Sequence, residues 1–331
     1  MSKQVGVKVP RLSPFIVMRN CLLRVGTRWR LKACALAVLS RVPAGRRVYL
    51  ALQAFAGTTQ LKADVRLRSA IELVSMIREA GRDPHGLVVL EVGTGWHPFV
   101  PVLLHLIGAD RIITIDKNPW LSWSAASQTF AALGDRIDTI AQGLAVDVGN
   151  IRTRYEEAAK GRAHDLHGLM SALNIDYRYP VSAEHTLLPD ASIDVVCSSN
   201  VLEHLTPETL RGLHAESRRI LKPGGLAVHR LNPGDHYSGS DKSISSVNFL
   251  QYSERRWRLY GSGLAYHNRL RCSQHRQILE DARFSVLVDR RRVDDDALAL
   301  LRAGHIALDR AFANLSLEDL AGDYMWMVGR K

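Results

Sequence analysis

Between Asn232 and Lys242 the chain places a histidine, two aspartates, a tyrosine and a lysine within eleven residues, Asn-Pro-Gly-Asp-His-Tyr-Ser-Gly-Ser-Asp-Lys. His236 is the first candidate for moving a proton, because an imidazole titrates near neutrality and Asp235 or Asp241 stands nearby in sequence to orient it. The same composition also suits a solvated loop, since Asn, Pro, Gly, Asp and Ser dominate turns for conformational reasons alone. Glu203-His204 offers a second imidazole, beside a carboxylate at the start of a helix. Its alternative role is structural, a histidine bonded to nearby backbone. A third stretch, Leu87 to Pro98 (LVVLEVGTGWHP), holds two glycines one residue apart. Without Cβ atoms, Gly93 and Gly95 let the backbone turn sharply and come close to a ligand.

These groups need elements to hold them. Leu87 to Leu90, bounded by Gly86 and Glu91, reads as a short strand buried on both faces, as a parallel sheet between helices requires. Pro98 sits where a helix can begin, and Phe99 to Ile107 continues as an apolar helix, so strand, glycine turn and helix make a nucleotide-type site. The third glycine of a dinucleotide fingerprint is replaced by Pro98, which disfavours a nicotinamide or flavin. Arg111 to Ile115 is a second strand ending in Asp116, placed where a carboxylate takes ribose hydroxyls. Ile193 to Cys197 is a further strand. The helix after it ends in Leu221-Lys222-Pro223-Gly224-Gly225, which leads into a strand at Leu226 to Leu231. Ala63 to Ala80 has helical spacing that covers the sheet, and Trp120 to Leu133 fits the helix after the second strand. Gly134 to Ser171 is long for a connection and reads as a helical insertion, with Val148 to Ala159 as one helix.

The ordered set VLEVGTG, TIDKNP, LLPDASIDVVCSSNVLEHL and RILKPGGLAV resembles the class I S-adenosylmethionine (SAM)-dependent methyltransferases. The match runs from Leu87 to Leu231. Asn268 to Phe284 resembles the helix before the sixth strand of that family and Tyr324 to Gly329 the seventh strand. The resemblance implies an α/β fold, a Rossmann-like doubly wound seven-stranded and mostly parallel sheet with helices on both faces, and SAM as cofactor. Carried over position by position, Glu91, Gly93 and Gly95 would face the methionine part, with Thr94 in the same turn. Asp116, with Lys117 beside it, would take the ribose, and Ser199-Asn200 the inner edge of the cofactor. Ser182-Ala183-Glu184 occupies the adenine position, where Ser182 replaces an aspartate common in the family.

Methyl transfer from a sulfonium is an in-line displacement, so positioning can supply about 7 to 11 kcal/mol, with a base added when the acceptor is a hydroxyl. His236 and His204 are the candidates. A metal-dependent variant would want a cluster of carboxylates after the fourth strand, which Ser198-Ser199-Asn200 does not offer, and no metal is expected. Phe249 to Tyr266 sets Arg255, Arg256 and Arg258 among Tyr252, Trp257, Tyr260 and Tyr266. Such a mixture forms a platform and clamp for a sugar or an anionic group, or else a helix whose rings pack while its arginines are solvated. DHYSGSDKSIS, NFLQYSERRW and AYHNRLR also resemble methyltransferases of bacterial surface-polysaccharide biosynthesis. That implies O-methylation of a sugar or glycan precursor. The alternatives are O- or N-methylation of a small natural product, and a SAM-binding regulatory module without turnover.

The 331 residues, 46% of them hydrophobic, can bury a full core. Four cysteines without paired short spacing indicate neither zinc nor a disulfide framework, so a cytoplasmic setting is expected. The net charge of +11 is concentrated at one end: twelve basic residues precede the first acid, Asp64, and the remaining 32 face 33 acidic residues. Interleaved apolar stretches, 15–18, 33–39 and 48–55, suit amphipathic helices on an anionic membrane, or a helical cap with a solvated basic face. Nucleic acid is not favoured, because too few aromatics accompany the charge. The expected organisation is a basic helical extension over 1–80 and a methyltransferase domain over 81–331. An acceptor lid is expected from the 134–171 insertion together with 235–271.

Overall fold

The computed structural model describes residues 27–55, 60–161 and 163–331. The apolar stretch 15–18 and the basic residues before 27 lie outside the described residues. Seven strands, β1 Val88–Val92, β2 Arg111–Ile115, β3 Ile175–Arg178, β4 Ile193–Ser199, β5 Leu221–Leu231, β6 Ser285–Val293 and β7 Gly322–Arg330, form one sheet in the order β3-β2-β1-β4-β5-β7-β6. Strands β3 to β5 run parallel across β2, β1 and β4, while β7 is antiparallel to β5 and β6. The order reverses between β1 and β4, and ligands on such sheets sit outside the carboxyl ends at that point.

Along the described residues the α-helices of seven residues or more are α1 Thr27–Leu39, α2 Gly45–Phe55, α3 Ala63–Glu79, α4 Phe99–Leu106, α5 Trp123–Gly134, α6 Ile137–Leu144, α7 Val148–Lys160, α8 Leu166–Ala172, α9 Pro207–Ile220, α10 Cys272–Asp281 and α11 Asp295–Arg302. Successive strand side chains point to opposite faces, so an unbroken apolar run feeds two helical layers. Val89 and Val195 pack with Leu73 and Ile77 of α3 and Leu103 of α4, whereas Leu90 and Val196 pack with Leu213 of α9 and Leu279 of α10. A third cluster joins Trp29 and Leu36 of α1 to Tyr237, Phe249, Trp257 and Leu298.

Three placements differ from the sequence reading. The α3 helix is buried in the first layer beside the strands, so the separable extension ends before Ala63 rather than at residue 80. The 134–171 insertion does not form a lid: Ile140, Leu144, Ile151 and Leu169 of α6 to α8 pack into that same layer and lead into β3. The segment 235–271, called the lid after that expectation, packs instead with α1 in the third cluster. Strands β3 and β6 were assigned no residues, although the resemblance implied seven strands and a sixth after Phe284. Both are sheet edges, and β3 has a single buried residue while β6 carries three consecutive arginines with no buried position. Among the described residues no helix is long and apolar enough to cross a membrane.

Candidate functional site

At the carboxyl end of β1 the chain turns through Gly93 and Gly95, with φ of +87° and +64°. Other residues avoid that left-handed region because their Cβ would clash with the following carbonyl. A Cβ on Gly93 would lie 2.4 Å from Val201 Cγ2, so glycine also lets the turn after β4 close onto the turn after β1. A Cβ on Gly95 would meet nothing within 4 Å, which marks the open side of the turn. The Gly95 amide donates to Asp116 Oδ2 (3.0 Å) and the Asn118 amide to Oδ1 (2.9 Å), so Asp116 at the end of β2 organises the turn whose ligand it would share. Beneath the turn, Thr114 Oγ1 donates to Glu91 Oε2 (2.6 Å) and lies 2.5 Å from Thr94 Oγ1. Burial, with a smaller contribution from Asp116, pushes Glu91 up to about 8 against that hydrogen bond. Glu91 and Thr94 are thus buried braces of the turn.

The other cofactor candidates gather at the same edge. The Val181 amide donates to the Asp116 carbonyl (3.0 Å), and a one-residue-pair bridge between Ser182 and His185 makes Ala183 and Glu184 the tip of a turn, with Glu184 against Gly212 of α9; Lys117 is exposed. After Ser199, Asn200 adopts φ +56° while its amide donates to the Arg230 carbonyl (2.7 Å). Arg230 donates to Asn200 Oδ1 and, through Nε, to Glu72 Oε2 (2.8 Å), which also accepts from Trp326 Nε1 (3.0 Å). The sequence reading missed this brace, since its members lie in α3, β5 and β7. A glycine turn with an open side, a carboxylate at the end of β2 and a second turn at the end of β4 fit a nucleoside cofactor such as SAM.

Beyond these ends three imidazoles meet. Glu203 and His204 lie in a single 3-10 turn after β4, and His236 opens another after β5. The ring centres of His204 and His236 are 5.0 Å apart, edge to face; those of His236 and His267 are 5.1 Å apart, stacked. His204 Nδ1 lies 2.9 Å from the Tyr266 carbonyl, to which it can only donate, leaving Nε2 as the basic nitrogen. His236 Nε2 lies 3.3 Å from the Asn232 carbonyl. Burial first, then His204, holds His236 down to about 4, so it is neutral at pH 7 but binds a proton weakly. His204, by contrast, is exposed and has a fixed tautomer.

Neither aspartate orients His236. Asp235 caps the turn that follows it, accepting from the Tyr237 amide (2.9 Å) and Asn248 Nδ2 (3.0 Å), and the imidazole it approaches is His267 at 4.0 Å. Burial pushes Asp235 up to about 6. Asp241 accepts from the Trp29 amide (3.0 Å) and from Ser243, fastening α1 to the lid. His267 had no local signal, since it reaches the cluster only because the lid folds back. On its far side a cavity of about 420 Å³ is lined by Arg41 from the turn after α1 and by Tyr237, Trp257, Arg258 and Tyr260 of the lid. In 249–266 Trp257 is packed in the core and Arg255 and Arg256 are solvated, as in the second reading, while Arg258 borders the cavity and pairs with Glu254 (3.3 Å).

Residues 145–229 match a family model described as a methyltransferase domain, a span that includes β4, Ser199-Asn200, Glu203 and His204 but not the glycine turn. Solved structures that the chain resembles include an S-adenosylmethionine-dependent methyltransferase from Mesorhizobium loti, 14% identical, covering 78% of this chain and 96% of that one with a TM-score of 0.42. Another is from Methanosarcina mazei, at 13% identity, 77% and 96% coverage and a TM-score of 0.41. A third is phosphoethanolamine N-methyltransferase 2 of Haemonchus contortus, in complex with phosphomonomethylethanolamine and S-adenosylhomocysteine, at 13% identity, 78% and 52% coverage and a TM-score of 0.42. No curated protein matches the chain.

Proposed function

We propose that this SAM-dependent methyltransferase methylates a hydroxyl group of a sugar or glycan precursor that carries negative charge. The observation that supports this acceptor is the cavity lined by Arg41, by Arg258 with its partner Glu254, by the Tyr237 and Tyr260 rings and by His267 of the histidine cluster. Aromatic faces stack on sugar rings and guanidinium groups pair with phosphate or carboxylate. The cofactor, when bound, supplies a methyl group on a positively charged sulfur; transfer to an acceptor oxygen forms a C–O bond, breaks the S–C bond and leaves S-adenosylhomocysteine and one proton. His204 Nε2 receives that proton, and the Tyr266 carbonyl, by holding Nδ1–H, steadies the imidazolium that results. Gly93 and Gly95 shape the cofactor turn, and Asp116 faces the ribose. The acceptor is read as lipid-linked and the enzyme as acting at the cytoplasmic face of a membrane, because α1, α2 and the turn between them expose Leu31, Val38, Val42 and Leu52 alongside basic residues.

Calorimetric titration with S-adenosylhomocysteine, followed by turnover on nucleotide-sugar and lipid-linked sugar acceptors, tests the proposal. Asp116→Ala is expected to weaken cofactor binding about 10- to 100-fold, the loss of one or two hydrogen bonds to a charged group. His204→Gln is expected to keep that affinity and to lower kcat about 10²- to 10⁴-fold. Cofactor binding without methylation of any sugar acceptor would sink the substrate assignment.

A further inference from the structure

The sequence suggested that carboxylates were wanting after β4. The structure supplies one a few residues later, in Glu203, and brings it against two imidazoles from different loops. Ligand atoms of Glu203, His204 and His236 all lie within 4.8 Å of one another. We infer that this triad is a binding site for one divalent transition-metal ion, set at the acceptor end of the cofactor cleft.

Three features support a cation rather than a plain hydrogen-bond cluster. Glu203 is 1% exposed, and its two oxygens are treated unequally: Oε1 accepts from Asn200 Nδ2 (3.1 Å) and the Asn232 amide (3.2 Å), while Oε2 is buried with no hydrogen-bond partner. A buried carboxylate oxygen left so is costly unless a cation or proton meets it. Second, His204 is arranged as a metal-binding histidine usually is, with one ring N–H given to a carbonyl, here of Tyr266, so that the other nitrogen presents its lone pair. Third, His236 Nε2 lies 3.3 Å from the Asn232 carbonyl, which leaves the other ring nitrogen for an ion. Bound ligand atoms at about 2.0 to 2.2 Å from an ion stand roughly 3 to 4 Å from each other, so the triad needs only side-chain rotation to close.

Two imidazoles and one carboxylate favour a first-row transition ion over magnesium or calcium, which take oxygen. Three protein ligands leave positions open on the ion for an acceptor hydroxyl. This inference rests on the methyltransferase reading for the use of the ion: polarising that hydroxyl would ease loss of its proton to solvent, and in the metal-loaded protein His204 Nε2 is a ligand in place of the base. The binding itself does not rest on it.

The test is titration of untagged, chelator-treated protein with cobalt(II) chloride, followed by visible absorption, with S-adenosylhomocysteine calorimetry on the same metal-free sample. One equivalent of cobalt per chain is expected, with ligand-field bands of nitrogen coordination, unaffected by excess magnesium. His236→Asn and Glu203→Gln are each expected to weaken it roughly 100-fold or more, at or beyond what the loss of a merely supporting residue costs. Retained S-adenosylhomocysteine affinity shows that the variants are folded; if Glu203→Gln loses it, His236→Asn and His204→Asn carry the test. Absent or sub-stoichiometric cobalt binding, or binding indifferent to the histidine variants, overturns the inference and leaves the methyltransferase reading standing if S-adenosylhomocysteine still binds. Cobalt bound by the triad without any S-adenosylhomocysteine binding would uphold the site and remove the function proposed for it.

Discussion

At the scale of single residues, Glu91, legible as a cofactor contact, is braced by threonine hydroxyls beneath the glycine turn. Its type and place, one residue before the strand ends, were readable; its burial against Thr114 and Thr94 was not, because that depends on the neighbouring strand. Folded Glu91 keeps its proton up to about pH 8, whereas the unfolded chain releases it near 4.5. Between those values the folded state binds the extra proton, so this residue makes stability fall as pH rises from about 4.5 to 8. Glu91→Gln is expected to flatten that fall. Thermal melts at several pH values check it, and parallel wild-type and variant curves would refute it. Asp235 is the converse case. Placed next to His236 in sequence, it looked like its partner, but the turn it caps sends the two side chains apart, toward Asn248 and Asn232 respectively. Adjacency in sequence gave the cluster its members but not their pairing.

At the scale of elements, strands β1, β2, β4 and β5 and helices α3, α5 and α7 were legible because each is an apolar run or an apolar stripe closed by glycine, proline or a capping residue. Strands β3 and β6 were not, since edge strands bury little and their sequences IDYR and SVLVDRRRV are dominated by their solvated sides. The docking of α1 was equally hidden. Trp29, 1% exposed, stands among Tyr237, Tyr252, Trp257 and Tyr260, with ring centres 4.7 to 6.0 Å away, so the helix cannot leave without opening the lid. Trp29→Ala is expected to cost that docking about 3 to 5 kcal/mol. Limited proteolysis should then cut within α1 and α2, and the acceptor KM should rise while S-adenosylhomocysteine affinity holds. An unchanged digestion pattern would show that the helix is held by other contacts.

At the scale of the whole molecule, the basic residues of α1 reach the lid: Arg30 donates to the Tyr252 hydroxyl (3.1 Å) and Lys32 to Ser240 Oγ (3.1 Å). Leu31 and Val38 are 71% and 61% exposed on the same helix that buries Trp29 and Leu36, so α1 has one face for the lid and one turned outward. If the outward face meets lipid, the full chain sediments with anionic vesicles and not with neutral ones, with each basic residue near the surface contributing about 1 kcal/mol and salt weakening the association. Leu31→Ser with Leu52→Ser should reduce binding at least about tenfold; equal binding to neutral vesicles, or none to anionic ones, removes the membrane part of the proposal. The cavity wall has a further consequence. One side comes from Arg41, ahead of every strand, and the other from residues 237–267, after the last strand that touches the cofactor turn. If that cavity takes the acceptor, acceptor choice and the turn for the methyl donor are written in separate stretches of the chain. Exchange of the two outer stretches, with the sheet left alone, would then change the molecule decorated and leave the donor site as it is.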